Sequence, residues 1–179
     1  MAMRRKLKHD SRGFTVIELL VSVSIIALVT VVYIADYRSA DRQAALSMAA
    51  QKLASDIRQV QNYSLGSKEF GGLLPPGGWG INIDRTADEH SYNLFVDMDS
   101  DQNYDSGGGE LVEKIELGSK IAIVSTSAGN TVDIVFFPPD PLTYINKSTS
   151  TSLEINLKET ASGNIKKIFV NYLGLIDVD

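Results

Sequence analysis

Residues Gly13 to Ala35 read GFTVIELLVSVSIIALVTVVYIA. After the glycine comes an apolar run of about 22 residues, long enough to cross a bilayer as one helix. A single charge interrupts it, Glu18, at the fifth position counted from Phe14. A carboxylate in hydrocarbon costs about 2.5–3.5 kcal/mol even on the milder insertion scales, so it requires a partner. Cleavage between Gly13 and Phe14 supplies one, a new N-terminal ammonium close to the depth of the carboxylate. Within one helix the two meet poorly, because the amine lies at the very end. Between two parallel helices staggered along an axis, they meet well. The spacing therefore predicts a segment built for assembly as well as anchorage, with an uncleaved signal anchor as the plainer reading.

Charge is split across this segment. Arg4, Arg5, Lys6, Lys8 and Arg12 against Asp10 give residues 1–13 a charge of +4. The whole chain carries −5, so the remainder carries −9. Basic flanks stay on the cytoplasmic side, which sends an acidic body across the membrane. A conventional secretory signal has a shorter apolar core and a cleavage site beyond it, whereas here the glycine precedes a long core. There are no cysteines, so an exported body holds together without disulfides.

Gly13-Phe14-Thr15-Val16-Ile17-Glu18-Leu19-Leu20, behind its Lys/Arg-rich leader, resembles the prepilin cleavage and methylation motif of type IV pilins and type II secretion pseudopilins. The resemblance implies that a prepilin peptidase cuts after Gly13 and methylates the Phe14 amine, and that Glu18 is the assembly glutamate. It also implies a bacterial inner-membrane protein with a cytoplasmic leader and a periplasmic or extracellular C-terminal domain. Its partners would be other pilin or pseudopilin subunits and an inner-membrane assembly platform. Shorter stretches, GWGINI, YNLFVDMDSDQNYDSGGGELVEKIEL, VDIVFFPPDP and IFVNYLGLIDV, resemble the GspH/FimT-like minor pseudopilins and minor pilins.

No Pro or Gly interrupts Phe14 to Leu65. Leu46, Ala49, Leu53, Ile57, Val60 and Ser64 recur at three and four, marking one helical stripe. The pattern predicts one helix of about 50 residues, or two helices hinged near Asp36–Ser39. GSKEFGGLLPPGGWG, from Gly66 to Gly80, stops it. Beyond lie short runs with β character: 79–83, 91–96, 111–117, 121–125, 131–137, 152–157 and 166–172. Pro138, Pro139 and Pro141 then close a strand and open a loop through Thr151. Alternation within the runs argues for sheets with one covered face, the helical stripe covering one of them. The expected class is α+β, a pilin-like long helix on an antiparallel β domain. The expected division is leader 1–13, membrane or filament-core helix 14–35, amphipathic continuation 36–67 and exported domain 68–179.

Asp97, Asp99, Asp101, Asn103 and Asp105 alternate through one loop, followed by Gly107 to Gly109 and Glu110. Calcium takes six to eight oxygens, and the four Asp residues fall at positions 1, 3, 5 and 9 of an EF-hand-like loop, with Asn103 at position 7. Gln102 replaces the usual glycine at position 6, and Gly108 replaces the bidentate Glu at position 12, so Glu110 would have to close the shell. The alternatives are a calcium site and a solvated acidic hairpin loop.

Other chemistry finds little support in the residues. His9 sits in the leader and His90 in a polar stretch, with no nucleophile and base in a recognisable motif and no zinc spacing. The glycine pairs lack the spacing and lysine of a phosphate loop. No enzyme and no catalytic residue is expected. An acidic body also disfavours nucleic acid, whose binding relies on neutralising phosphates. The expected function is a structural subunit of a secretion pseudopilus or type IV pilus serving protein export. The alternatives are a minor pilin for adhesion or DNA uptake, and an anchored calcium-binding domain that never polymerises.

Overall fold

A computed structural model describes residues 13–138 and 142–179, with the backbone alone at residue 35. The basic leader up to Arg12, His9 with it, and Pro139 and Pro141 lie outside the described residues. The chain forms two units, one ending at Ala40 and the other spanning Asp41–Asp179.

Helix α1 runs Val16–Leu65. In the first unit its side chains are exposed on every face. Three polar residues of the apolar run bond to their own backbone one turn back. Ser22 donates to the Glu18 carbonyl at 2.7 Å, Ser24 to Leu20 at 2.8 Å and Thr30 to Ile26 at 2.7 Å. A hydroxyl satisfied in this way needs nothing from lipid. The helix is long and apolar enough to cross a membrane.

In the second unit the helical stripe turns inward. Leu46, Ala50, Leu53, Ala54, Ile57 and Val60 are buried, with small residues allowing close approach. The helix ends in a Schellman motif: the Lys68 N–H donates to the Tyr63 carbonyl at 2.9 Å and the Ser67 N–H to Ser64 at 3.0 Å. Ser67, at φ 47°, takes the left-handed position usually held by glycine. Trp79 pins this end to the sheet, its ring 5.0 Å from that of Tyr63 and its Nε1 donating to the Lys68 carbonyl at 3.0 Å. Lys68 Nζ lies 3.4 Å from the centre of the Tyr63 ring.

Among the described residues nine strands follow: β1 Gly78–Asp84, β2 Ser91–Asp97, β3 Leu111–Glu116, β4 Ile121–Thr126, β5 Thr131–Phe137, β6 Leu142–Ile145, β7 Leu153–Glu159, β8 Ile165–Val170 and β9 Ile176–Val178. They make two antiparallel sheets, ordered β3-β2-β1-β5-β6 and β4-β7-β8-β9. The α+β class expected from the sequence is the class observed. β6 lies within the predicted loop, and β9 belongs to no predicted run. One apolar cluster joins the helix stripe to Ile81, Leu94, Ile134 and Phe136 of the first sheet and to Ile123, Ile155, Leu157 and Ile168 of the second.

Strand β7 alternates in burial as expected, but β1 is buried nearly throughout. The five-stranded sheet buries apolar side chains on both faces. Residues Trp79, Ile81 and Ile83 join the cluster with the helix, while Phe95 and Val135 are buried on the opposite face. There Tyr104, from the connection between β2 and β3, packs 5.4 Å from the Phe95 ring. Gly80 permits this layer, since a Cβ at that position would stand 2.5 Å from the Phe95 ring.

Candidate functional site

The first site is the helix start. Phe14 is exposed, and a Cβ on Gly13 would meet nothing within 4 Å among the described residues. Glu18 does not lack contacts within its own helix. Its Oε2 accepts from the Thr15 hydroxyl at 3.2 Å and the Thr15 N–H at 3.4 Å, while the Glu18 N–H donates to the Thr15 hydroxyl at 3.3 Å. This is a capping box, Thr-x-x-Glu, closing two orphan donors of the first turn. The offset of three between Thr15 and Glu18 is the sequence signal for this box.

The second site is the acidic connection between β2 and β3. Antiparallel pairing of these strands, with a register shift between Leu94 and Phe95, brings Glu110 back beside the end of β2, and the Val96 N–H donates to the Glu110 carbonyl at 2.9 Å. Asp97 is fully buried and organises the turn. Its Oδ1 accepts from the N–H groups of Ser100 (2.7 Å) and Asp101 (3.3 Å), and its Oδ2 from Gln102 (2.9 Å). Glu110, also buried, accepts from Met98 N–H at 3.0 Å and Asp105 N–H at 2.9 Å. Burial pushes both carboxyls above their usual ranges, against the opposing pull of those N–H groups. Gln102 stands at φ 62°, so the sharp turn forms without a glycine. Gly77 completes the corner: a Cβ there would lie 2.1 Å from the Asp97 carboxylate.

Of the six candidate ligands, the fold gathers three. Carboxylate oxygens of Asp97, Asp99 and Glu110 lie within 4.8 Å of one another. Asp101 accepts from the Asn103 N–H at 2.8 Å and from Lys147 Nζ at 3.3 Å, while Asp105 contributes its backbone N–H to Glu110. Asp97, Asp99 and Glu110 are the residues that could hold a hard cation, through the carboxylate oxygens that take no more than one N–H. His90 is engaged structurally, with Nδ1 2.7 Å from the Ile121 carbonyl oxygen.

Comparison with known proteins bears on the first site. The family model described as "Prokaryotic N-terminal methylation motif" matches residues 8–34. No curated protein and no solved structure matched the chain. The matched segment contains Gly13, Phe14, Thr15 and Glu18 and most of the apolar run, and it supports both membrane anchoring and assembly with other pilin-like subunits. The chain thus carries the N terminus of a prepilin-like substrate of prepilin peptidase, in keeping with the type IV pilin-like family.

Proposed function

We propose that the chain is a minor pseudopilin or minor pilin of the GspH/FimT-like group, built into a type II secretion pseudopilus or type IV pilus and serving protein export. The observation that carries this reading is the methylation motif over residues 8–34, with Glu18 at the head of an exposed apolar helix. The subunit inserts in the inner membrane, leader in the cytoplasm and acidic domain outside. Prepilin peptidase cuts after Gly13 and methylates Phe14. An assembly platform then extracts the subunit, and Glu18 leaves its capping role to pair with the Phe14 ammonium of a neighbour. That pairing offsets the desolvation of both charges and sets axial register.

Calcium is the cation proposed for the corner of Asp97, Asp99 and Glu110, where it would draw the connection between β2 and β3 against the sheet. The reading as a DNA-uptake pilin is the weaker one, because the body beyond residue 13 is acidic.

The test is the intact mass of the protein from membranes with and without an active prepilin peptidase. The expected result is loss of residues 1–13 and gain of one methyl group on Phe14, only when the peptidase is active. An uncut chain under both conditions would overturn the proposal and leave an anchored β domain.

A further inference from the structure

The outward face of the five-stranded sheet carries one polar row across four strands. Asp133 of β5 stands beside Asn82 of β1, Asn82 beside Asn93 of β2, and Asn93 beside Lys114 of β3. Their side chains link in sequence: Asn82 Nδ2 donates to Asp133 Oδ1 at 2.8 Å, and Asn93 Nδ2 to Asn82 Oδ1 at 3.1 Å. Such a chain of amides is oriented as a unit. Over this row lies a cleft of about 400 Å3, with Tyr104 and Asp84 among its walls.

The charges lining the cleft do not cancel. Lys114 is already committed, its Nζ 3.0 Å from Asp88 Oδ2. Asp84 and Asp133 make no ion pair among the described residues. Asp133 is only 8% exposed, and a buried charge without a counter-ion is costly. Unused groups on the walls include several acceptors. Among the described residues, Asp84 binds its turn and Thr131 through Oδ1 alone, and Asn93 uses its amide nitrogen but not its oxygen.

We propose that this cleft receives an arginine side chain from a partner polypeptide, its guanidinium facing Asp84 and Asp133 and lying against the Tyr104 ring. Two uncompensated carboxylates and spare acceptors ask for a cation with several donors, and an aromatic wall suits a planar one. A lysine would meet the charge but not the plane. A neutral saccharide would use the amides and the ring without drawing on the charge. The proposal stands independently of whether Glu18 acts in assembly.

The experiment uses the full processed chain in detergent micelles, with labelled tyrosine rings and asparagine side-chain amides observed by NMR. The probe is a blocked Gly-Arg-Gly tripeptide, compared with its citrulline counterpart and with maltotriose. The arginine peptide should move the Tyr104, Asn82 and Asn93 signals, with a response that weakens several-fold as salt rises. The double variant D84N/D133N keeps the shape of both side chains and should lose the response, with the Tyr63 signal on the helix unchanged. Should that variant fail to fold, D84N alone should weaken the response and Y104L should weaken it further. No shift with the arginine peptide, an equal shift with citrulline or maltotriose, or an undiminished response in folded charge variants would overturn the proposal.

Discussion

The Tyr92 hydroxyl donates to Asp56 Oδ2 at 2.5 Å, tying β2 to the long helix through a buried polar contact. Lys52 holds the same oxygen at 3.0 Å from one turn earlier on the helix. Burial, then the hydrogen bond to Asp56 and its charge, push the Tyr92 hydroxyl well above the usual tyrosine range, so it stays a donor.

Tyr92→Phe should cost about 1–3 kcal/mol, because it removes the donor and leaves Asp56 with Lys52 alone. Urea unfolding of the processed protein measures this. In a double-mutant cycle with Asp56→Ala the two losses should fall short of additivity, since they remove one contact. Full additivity would mean the two groups act separately.

Glu18→Ala should leave the β domain folded and Gly13–Phe14 cleavage intact while sharply reducing recovery in sheared filaments. Thr15→Val should act locally. Loss of the cap should cost the first helical turn about 0.5–2 kcal/mol, seen as faster amide exchange near residue 18 with no change in the strands. Normal incorporation of Glu18→Ala would count against the assembly role.

Asp133 is pushed up to about 6, chiefly by burial, with Asn82 pulling the other way. Its folded form holds a proton more tightly than the unfolded chain. Stability should therefore rise as pH falls from about 6 towards 3.8, and the protonated-state advantage is absent above that window. The raised Asp97 and Glu110 act with the same sign. Asp88 has the opposite sign. The His90 N–H, Ser91 and Lys114 hold it down to about 2, so its contribution is present above 3.8 and lost below that. Asp133→Asn should reduce the gain between pH 6 and 4, read as the change in denaturation midpoint, by up to about 3 kcal/mol. An unaltered pH profile would show that Asp133 titrates normally.

Calcium at saturating concentration should raise the thermal midpoint of the β domain, with about 2.7 kcal/mol of stabilisation expected at a hundredfold excess over the dissociation constant. Chelator should reverse it. Asp97→Asn and Gly77→Ala should each abolish the calcium response, the first by removing a ligand charge and the second by driving a methyl group into the carboxylate. Magnesium, which demands tighter octahedral geometry, should substitute poorly. A midpoint insensitive to calcium in the unaltered protein would remove the metal from the proposal.

Much of this protein was readable in one dimension, where the physics is local. The apolar run, its single carboxylate and the preceding glycine depend only on neighbours in sequence, and so does the three-four stripe from Leu46 to Ser64 that the fold buries. The β domain was legible as a class from alternation in runs such as Leu153, Ile155 and Leu157. Pairing was not legible. Strand order depends on which distant runs close together, and no local period records that Trp79 faces Phe136 or that β4 joins β7 across the chain. β6 and β9, at four and three residues, are too short for alternation to reveal. Asp56 falls off the three-four stripe, and only the placement of β2 brings Tyr92 to it. Spacing alone made five acidic-loop residues and Glu110 equal candidates. Only the return of the chain at β3, and the space left by Gly77, brought Asp97, Asp99 and Glu110 together and turned Asp101 towards Lys147. Composition and period determined which segments fold and in what form; non-local packing decided which side chains meet.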